Sequence, residues 1–269
     1  MNRYKIAVVG ICLNEPYWSY LSPMVESAQK FLLKGHQVDF IIWSDMPQEK
    51  APTGVTIIPQ EPAEWPLPTL HRFHLFLREE ERLKEYDFIV YCDVDMLFVS
   101  TVGDEILGQG LTVAQHPMHA YKRALFAPHE PNPQSTAYIP SLGRIIEKIG
   151  KKMFEPLYIA GGFQGGRSDK FIEAMKVMKK MIDDDFSNNY TSIWNDQSYW
   201  NAYLFYHYSN RGVVFPETVV LSPSYIMPDS LIKSYYIPIW GRNFVPKIIT
   251  LTKPFTTSKE AAIALQTKI

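Results

Sequence analysis

The chain has 269 residues, 46% of them apolar and 20% charged, which is enough to bury a sizeable core and too apolar for a disordered chain. Lys and Arg number 27 against 28 Asp and Glu, a formal charge of −1, which gives no support to broad electrostatic binding of nucleic acid or of an anionic membrane. Two cysteines, Cys12 and Cys92, make neither a disulfide framework nor a cysteine zinc site, and free thiols in apolar runs suit a reducing compartment. The N-terminal apolar run, Ile6 to Leu13, falls far short of the ~20 residues that span a bilayer and carries no cleavage signature. The expectation is a soluble, cytoplasmic protein without a membrane span.

Lys5 to Ile11 is a short continuous apolar run, the pattern of a strand buried on both faces. Leu21, Val25, Ala28 and Leu32 then share one helical face, and Gly35 is placed to end that helix. Gln37 to Trp43 reads as a second strand and Val55 to Ile58 as a third, with prolines from Pro47 to Pro68 marking loops. Thr69 to Tyr86 reads as one charged helix turning Leu70, Phe73, Phe76, Leu77 and Leu83 inward, and it feeds Asp87 to Cys92, the clearest buried strand. This alternation predicts an α/β fold, a mainly parallel central sheet flanked by helices in a single domain. Ligands of such sheets bind beyond the carboxyl ends of the strands, where Ile11 to Tyr17 and Asp93 to Asp95 fall.

The second half is less regular. His116 to Pro140, rich in Pro, His and aromatic residues, predicts a long functional loop. Phe171, Met175, Met178 and Ile182 form a helical core stripe that the run Asp183 to Asp185 ends in solvent, and Thr191 to Tyr208 reads as an aromatic helix.

Three segments carry chemistry. In Tyr91-Cys-Asp-Val-Asp-Met-Leu-Phe98 two carboxylates one residue apart close a buried strand; charges so close favour a shared hard cation such as Mg²⁺ or Mn²⁺ that bridges to a diphosphate, whereas a solvated turn is the structural alternative. Tyr158-Ile-Ala-Gly-Gly-Phe-Gln-Gly-Gly166 is glycine-dense, which allows close backbone approach to a ligand or a tight bend between packed elements. Trp194-Asn-Asp-Gln-Ser198 sets an acid and amides beside an aromatic, a sugar-orienting set or equally a helix start with Asp196 in its first turn. His71 and His74 alternate with core positions on a charged helix and are not read as ligands. The strand with Asp93-Val-Asp95 superficially matches haloacid-dehalogenase-like phosphatases, but these place the motif near the N-terminus and not mid-chain before Met96.

Taken in order, Gly35-His36, Trp43-Ser-Asp45, Arg72-Phe-His74 with Arg78, Asp93-Val-Asp95, His116-Pro117, Gln134 to Pro140, Ala160 to Gly166, Trp194 with Asp196, Leu221 to Tyr225 and Val245-Pro-Lys247 resemble glycosyltransferase family 6 over almost the whole chain. The resemblance implies a GT-A fold, with residues 1–100 as a nucleotide-binding half and 101–269 as an acceptor-binding half and C-terminal tail. It implies retaining α1,3 transfer of GalNAc, less readily Gal, from the UDP-sugar to a β-galactoside, often fucosylated, such as fucosylated lactose. Asp93 and Asp95 would hold Mn²⁺, with Val94 between them at the UDP. Ile11, Cys12, Leu13 and Tyr17 would hold the uridine, Arg72 the donor and Lys247 the diphosphate. Ala160, Gly161 and Gly162 would discriminate the donor, the last leaving room for an acetamido group. His116, Trp194 and Asp229 would meet the acceptor, and the stretch after Gly241 would order over UDP. Asp196 and Gln197 fall on the catalytic pair. Here the chain departs from the family: Trp194-Asn195-Asp196-Gln197 stands where the family has Trp-His-Asp-Glu. A carboxamide keeps the shape of the glutamate without its charge, so this chain is either an impaired transferase or a non-catalytic UDP-sugar and glycan binder on the same fold.

Overall fold

A computed structural model describes residues 3–120, 127–140, 157–209, 217–233 and 245–252. The elements run β1 (Lys5–Cys12), α1 (Glu15–Phe31), β2 (Gln37–Ser44), β3 (Val55–Pro59), three short helices α2 (Leu67–Leu70), α3 (Arg72–Arg78) and α4 (Glu80–Leu83), β4 (Phe88–Cys92), β5 (Met96–Phe98) and β6 (Leu111–Gln115). They continue with β7 (Ile159–Arg167), α5 (Ser168–Ser187), α6 (Asp196–Ser209), β8 (Val219–Leu221), β9 (Met227–Pro228), α7 (Asp229–Lys233) and β10 (Ile248–Thr250). The main sheet has the order β3-β2-β1-β4-β7-β6-β8, and β5-β10-β9 make a small second sheet. From β3 through β4 all neighbours are parallel. β7 runs antiparallel to both β4 and β6, and β8 is again parallel to β6. The predicted mainly parallel α/β architecture is therefore present, with one reversed strand near its middle.

The uninterrupted apolar runs are explained by burial on both faces. Ile6 and Val8 of β1, Ile42 of β2 and Val90 of β4 pack on one side against Leu21, Met24 and Val25 of α1. Their neighbours Ala7, Val9, Ile41 and Ile89 face the other side, where Phe73 of α3, Met175 of α5 and Trp200 of α6 cover them. Truncating the fully buried Trp200 to Ala would cost about 3–5 kcal/mol through lost burial and the cavity left behind.

Four expectations are corrected. α1 ends at Phe31, ahead of Gly35, because Leu32 turns extended and bridges to Val102, and Leu33 already takes the positive φ of 46°. The expected helix from Thr69 to Tyr86 is broken at His71 and Glu79, whose torsions (φ −88°, ψ 2° and φ −104°, ψ 24°) leave the helical range. Local packing, with the His71 ring on Phe186, overrides the pattern there. The glycine-dense segment is not a tight bend but strand β7, next to the central β4. A Cβ at Gly165 would stand 2.5 Å from the Ile89 carbonyl oxygen, and one at Gly166 2.5 Å from that of Gly110, so glycine is what lets the neighbouring backbones close in. Finally, Asp185 does not end a helix in solvent. It is buried and accepts from Ser135 Oγ at 2.6 Å, Thr136 N at 2.7 Å and Tyr199 Oη at 2.9 Å. Among the described residues no helix is long and apolar enough to cross a membrane.

Candidate active site

The parallel strands deliver their ends to one edge, and three elements meet beyond β4. Asp93 follows β4 directly and its N–H donates to the Gly162 carbonyl of β7 at 3.0 Å. Arg72, the first residue of α3, is 2% exposed. Its Nη1 lies 2.8 Å from the Gly161 carbonyl oxygen and 3.0 Å from Asp196 Oδ2, and Nη2 lies 3.8 Å from Asp93 Oδ1. The guanidinium rests 4.2 Å from the centre of the Tyr91 ring, and the Tyr91 hydroxyl donates to Asp93 Oδ1. One buried cation thus serves two carboxylates from elements far apart in sequence.

Burial opposes the charge on Arg72, but Asp196, Tyr91 and Asp93 more than offset it, so its pKa moves up. Burial pushes the Asp196 carboxyl up to about 7; Arg72 pulls it down and Asp93 adds to the rise. The cluster is not fully satisfied. Nη1 directs its N–H at Gly161, leaving Arg72 Nε and Asp196 Oδ2 buried without an aligned hydrogen bond. Unspent hydrogen-bonding capacity in a buried charged group is uncommon.

The Trp194 to Ser198 motif starts α6, as the structural alternative held, and also contributes to the site. Gln197 Oε1 accepts from Gly161 N at 3.1 Å. A Cβ at Gly161 would stand 3.0 Å from Asp196 Oδ2, and one at Gly162 would stand 2.5 Å from Met96 Cε and 2.8 Å from Asp93 Oδ2. Gly162 therefore opens no free space of its own: Met96 and Asp93 already occupy it.

Asp93 and Asp95 suit a hard divalent cation. Asp93 is half-buried, whereas Asp95 is buried and its backbone carbonyl accepts from Leu251 N at 2.8 Å. Among the described residues no three His, Cys, Asp or Glu stand together as a metal cage. Two carboxylates would leave most of the six or more oxygen positions of a hard divalent cation to ligands from outside the protein.

The other predicted positions divide. Cys12 and Leu13 are buried at the end of β1 and Ile11 and Tyr17 are half-buried there, while Val94 is buried between the two acids. Burial pushes the Cys12 thiol up to about 12 and the Cys92 thiol well up, so both are inert. Ala160 is buried in β7. Trp194 is 46% exposed, an open aromatic face beside the site. His116 is half-buried and held neutral, burial pulling its pKa down to about 4. Two positions are paired outside the cluster. The Lys247 ammonium pairs with Glu105 Oε1 at 2.5 Å, and Asp229 is buried with its carboxylate accepting from the Thr252 hydroxyl. The tail after Gly241 lies outside the described residues except for residues 245–252.

Sequence reasoning missed several residues. Tyr91 was readable, because two residues before Asp93 on a strand is the same face. Tyr158, His119, His129 and the buried Glu130 lie inside segments that the sequence singles out, but no local pattern distinguishes them there; only the tertiary fold assembles them.

An acid-tipped strand, a buried arginine and an exposed tryptophan thus lie close together at the carboxyl ends of the parallel strands. The family profile of glycosyltransferase family 6 matches residues 3–238, and the chain belongs to that family. It is 29% identical over 225 residues to "Histo-blood group ABO system transferase 1" of Rattus norvegicus, covering 80% of this chain and 59% of the relative. It is 29% identical over 223 residues to "Globoside alpha-1,3-N-acetylgalactosaminyltransferase 1" of Canis lupus familiaris, covering 79% of this chain and 58% of the relative. It is 24% identical over 200 residues to "O-antigen biosynthesis glycosyltransferase WbnI" of Escherichia coli, covering 74% and 73%. The chain thus spans about three fifths of the length of these two mammalian relatives.

Proposed function

We propose that this protein is a retaining α1,3-glycosyltransferase that takes GalNAc, in preference to Gal, from its UDP-sugar and transfers it to a β-galactoside such as fucosylated lactose. The observation that carries this reading is the buried Arg72 shared between Asp93 and Asp196 against the β7 backbone. Residues 1–100 hold the nucleotide, with the uridine against Ile11 to Leu13 and Tyr17, and the later residues hold the acceptor against His116 and Trp194. Asp93 and Asp95 would hold Mn²⁺, and such an ion would supply positive charge against the diphosphate. Arg72 orients the donor and keeps Asp196 in place beside the Gly161 backbone. Lys247 reaches the diphosphate by exchanging Glu105 for phosphate oxygens. The preference for GalNAc draws on the family resemblance and on the activity for which the globoside relative is named, not on free space at Gly162.

Gln197 favours a second reading. Its neutral amide supplies no charge to an oxocarbenium-like transition state, so the same site would bind UDP-sugar and glycan without turnover. Transfer from UDP-GalNAc and UDP-Gal to 2′-fucosyllactose with Mn²⁺, run with the unaltered chain and with Gln197→Glu, separates the two. Turnover restored by the glutamate identifies a transferase scaffold with one altered group. Tight UDP binding with neither form active identifies a binding protein, and fast turnover by the unaltered chain places the essential charge elsewhere than at position 197.

A further inference from the structure

The pairing of β7 with β6 shifts register between Val113 and Gln115, and the first residues of β7 turn to side chains for partners. Two carboxamides one turn apart on α6 supply them. Asn201 accepts from Ile159 N at 3.0 Å and donates to the Ile159 carbonyl at 3.1 Å, while Gln197 accepts from Gly161 N. Because a backbone N–H only donates, the Gln197 amide must present its oxygen to Gly161, which fixes its Nε2 on the other side. There Nε2 donates to Tyr158 Oη at 3.0 Å, and the Tyr158 hydroxyl turns its own proton to the Pro128 carbonyl at 3.3 Å. The three bonds form a relay with one direction, from the Gly161 N–H to the loop before β7.

Tyr158 itself has little freedom. It is 2% exposed, and the rings of His116, His119 and His129 surround it with centroids 5.7, 5.4 and 5.1 Å away. Its backbone carbonyl accepts from His116 N at 2.9 Å. A tyrosine held by its ring, its carbonyl and its hydroxyl is a rigid reference point, and what it fixes is the amide next to Asp196. We propose that Tyr158 is a positioning residue: through the Gln197 amide it locks the Gly161 backbone in the orientation that receives the sugar half of a nucleotide sugar. This rests on the nucleotide-sugar reading above. It gives the carboxamide at 197 a task of its own, independent of whether the chain turns over.

The test is a double-mutant cycle read by calorimetry with Mn²⁺, titrating UDP and UDP-GalNAc separately into the unaltered protein, Tyr158→Phe, Gln197→Met and the double variant. Methionine keeps the volume of the glutamine and removes both hydrogen bonds. UDP alone is expected to bind all four forms within about twofold, because the relay lies at the sugar end. The extra affinity that the sugar confers is expected to fall about fivefold in Tyr158→Phe, the scale of one net hydrogen bond, as far or further in Gln197→Met, and no further in the double variant. Should Tyr158→Phe lose the fold, Gln197→Met carries the same comparison of UDP with UDP-GalNAc. A merely structural tyrosine would weaken UDP and UDP-GalNAc alike, or add its full effect to that of Gln197→Met; either result overturns the proposal. If UDP binds but the sugar adds nothing in the unaltered protein, this inference fails alone. If UDP does not bind at all, the nucleotide-sugar reading fails and takes the inference with it.

Discussion

Two of the centres at which the molecule buries carboxylates treat them in opposite ways. Around residues 130–136, Asp185 meets Ser135, Thr136 and Tyr199, and Glu130 accepts from Tyr190 Oη at 2.6 Å, Asn132 N at 2.9 Å and Ile193 N at 2.9 Å. Neutral hydroxyl and N–H donors meet both carboxylates, and neither has a buried atom left without a partner. At the strand ends, by contrast, Asp196 faces a buried cation that it shares with Asp93, and both partners keep an unsatisfied atom. A satisfied polar network specifies structure, and one that is left incomplete is available to a ligand. The first pair staples residues 130–136 to α5 and α6; the second is the candidate site.

If that contrast is right, removing the two kinds of centre must hurt different properties. Asp185→Ala strands three buried donors and is expected to destabilise the fold by about 4 kcal/mol, read as a lower midpoint in urea with an unchanged slope. Arg72→Met is expected to cost less than half of that at pH 6, because Asp196 is already pushed up to about 7 and takes a proton instead of remaining a lone buried charge. The same variant is expected to weaken binding of UDP with Mn²⁺ by about 100-fold or more. Asp185→Ala, measured where it is still folded, should leave that binding nearly intact. Reversed outcomes, with binding lost on the Asp185 side and stability on the Arg72 side, would erase the distinction.

Metal removal sharpens it. Asp93→Asn keeps the shape of the strand end and lowers the charge available to a cation. The Mn²⁺-dependent part of UDP affinity is expected to fall by about 10- to 100-fold, while affinity in EDTA changes little. Equal losses with and without metal would remove Asp93 from the cation site. A smaller effect probes the other centre. Glu130→Gln must turn an NH₂ toward either the Tyr190 hydroxyl and Asn132 N–H or the Ile193 N–H, and a destabilisation of about 2 kcal/mol is expected from the one donor left unmatched. A neutral result would mean that charge and donor direction at Glu130 are irrelevant to the staple.

What the sequence made legible follows the range of each interaction. β1, β2 and β4 are buried on both faces and announce themselves as apolar runs, and Asp93-Val-Asp95 is local to one strand end. Arg72 and Asp196 were named through the colinear motifs of the family, but their ion pair joins residues far apart, and no periodicity announces it. β7 reads ambiguously, as close approach to a ligand or as a tight bend, because glycines that serve neighbouring backbones look like turn chemistry in one dimension. Asp185 misled in the same way: an acidic run at a helix end is ordinarily solvated, and only the folded loop at Ser135 and Thr136 reveals that its last member faces inward. Tyr158 carries no signal of its own, since its partners His119, His129 and Gln197 are gathered from three separate segments.

The finest test of the contrast is the pH dependence of stability. Asp196 has its pKa raised by burial to about 7, so between pH 4 and 7 the native protein holds a proton that the unfolded chain releases. Its contribution to stability is therefore greatest in acid and declines as pH rises through that window, the reverse of an ordinary salt-bridged aspartate. Burial pulls His116 and His129 down to about 4, which gives the opposite slope: their contribution is complete above about pH 6.5 and is lost as pH falls toward 4. In the unaltered protein the two trends oppose each other, so the difference between variants is the quantity to measure. Asp196→Asn deletes one slope only, and its stability relative to the unaltered protein is expected to improve steadily from pH 4 to 7 and then level off. Parallel urea-denaturation curves across that range would mean that Asp196 is ionised throughout, and that Arg72 satisfies it as completely as the hydroxyls satisfy Asp185.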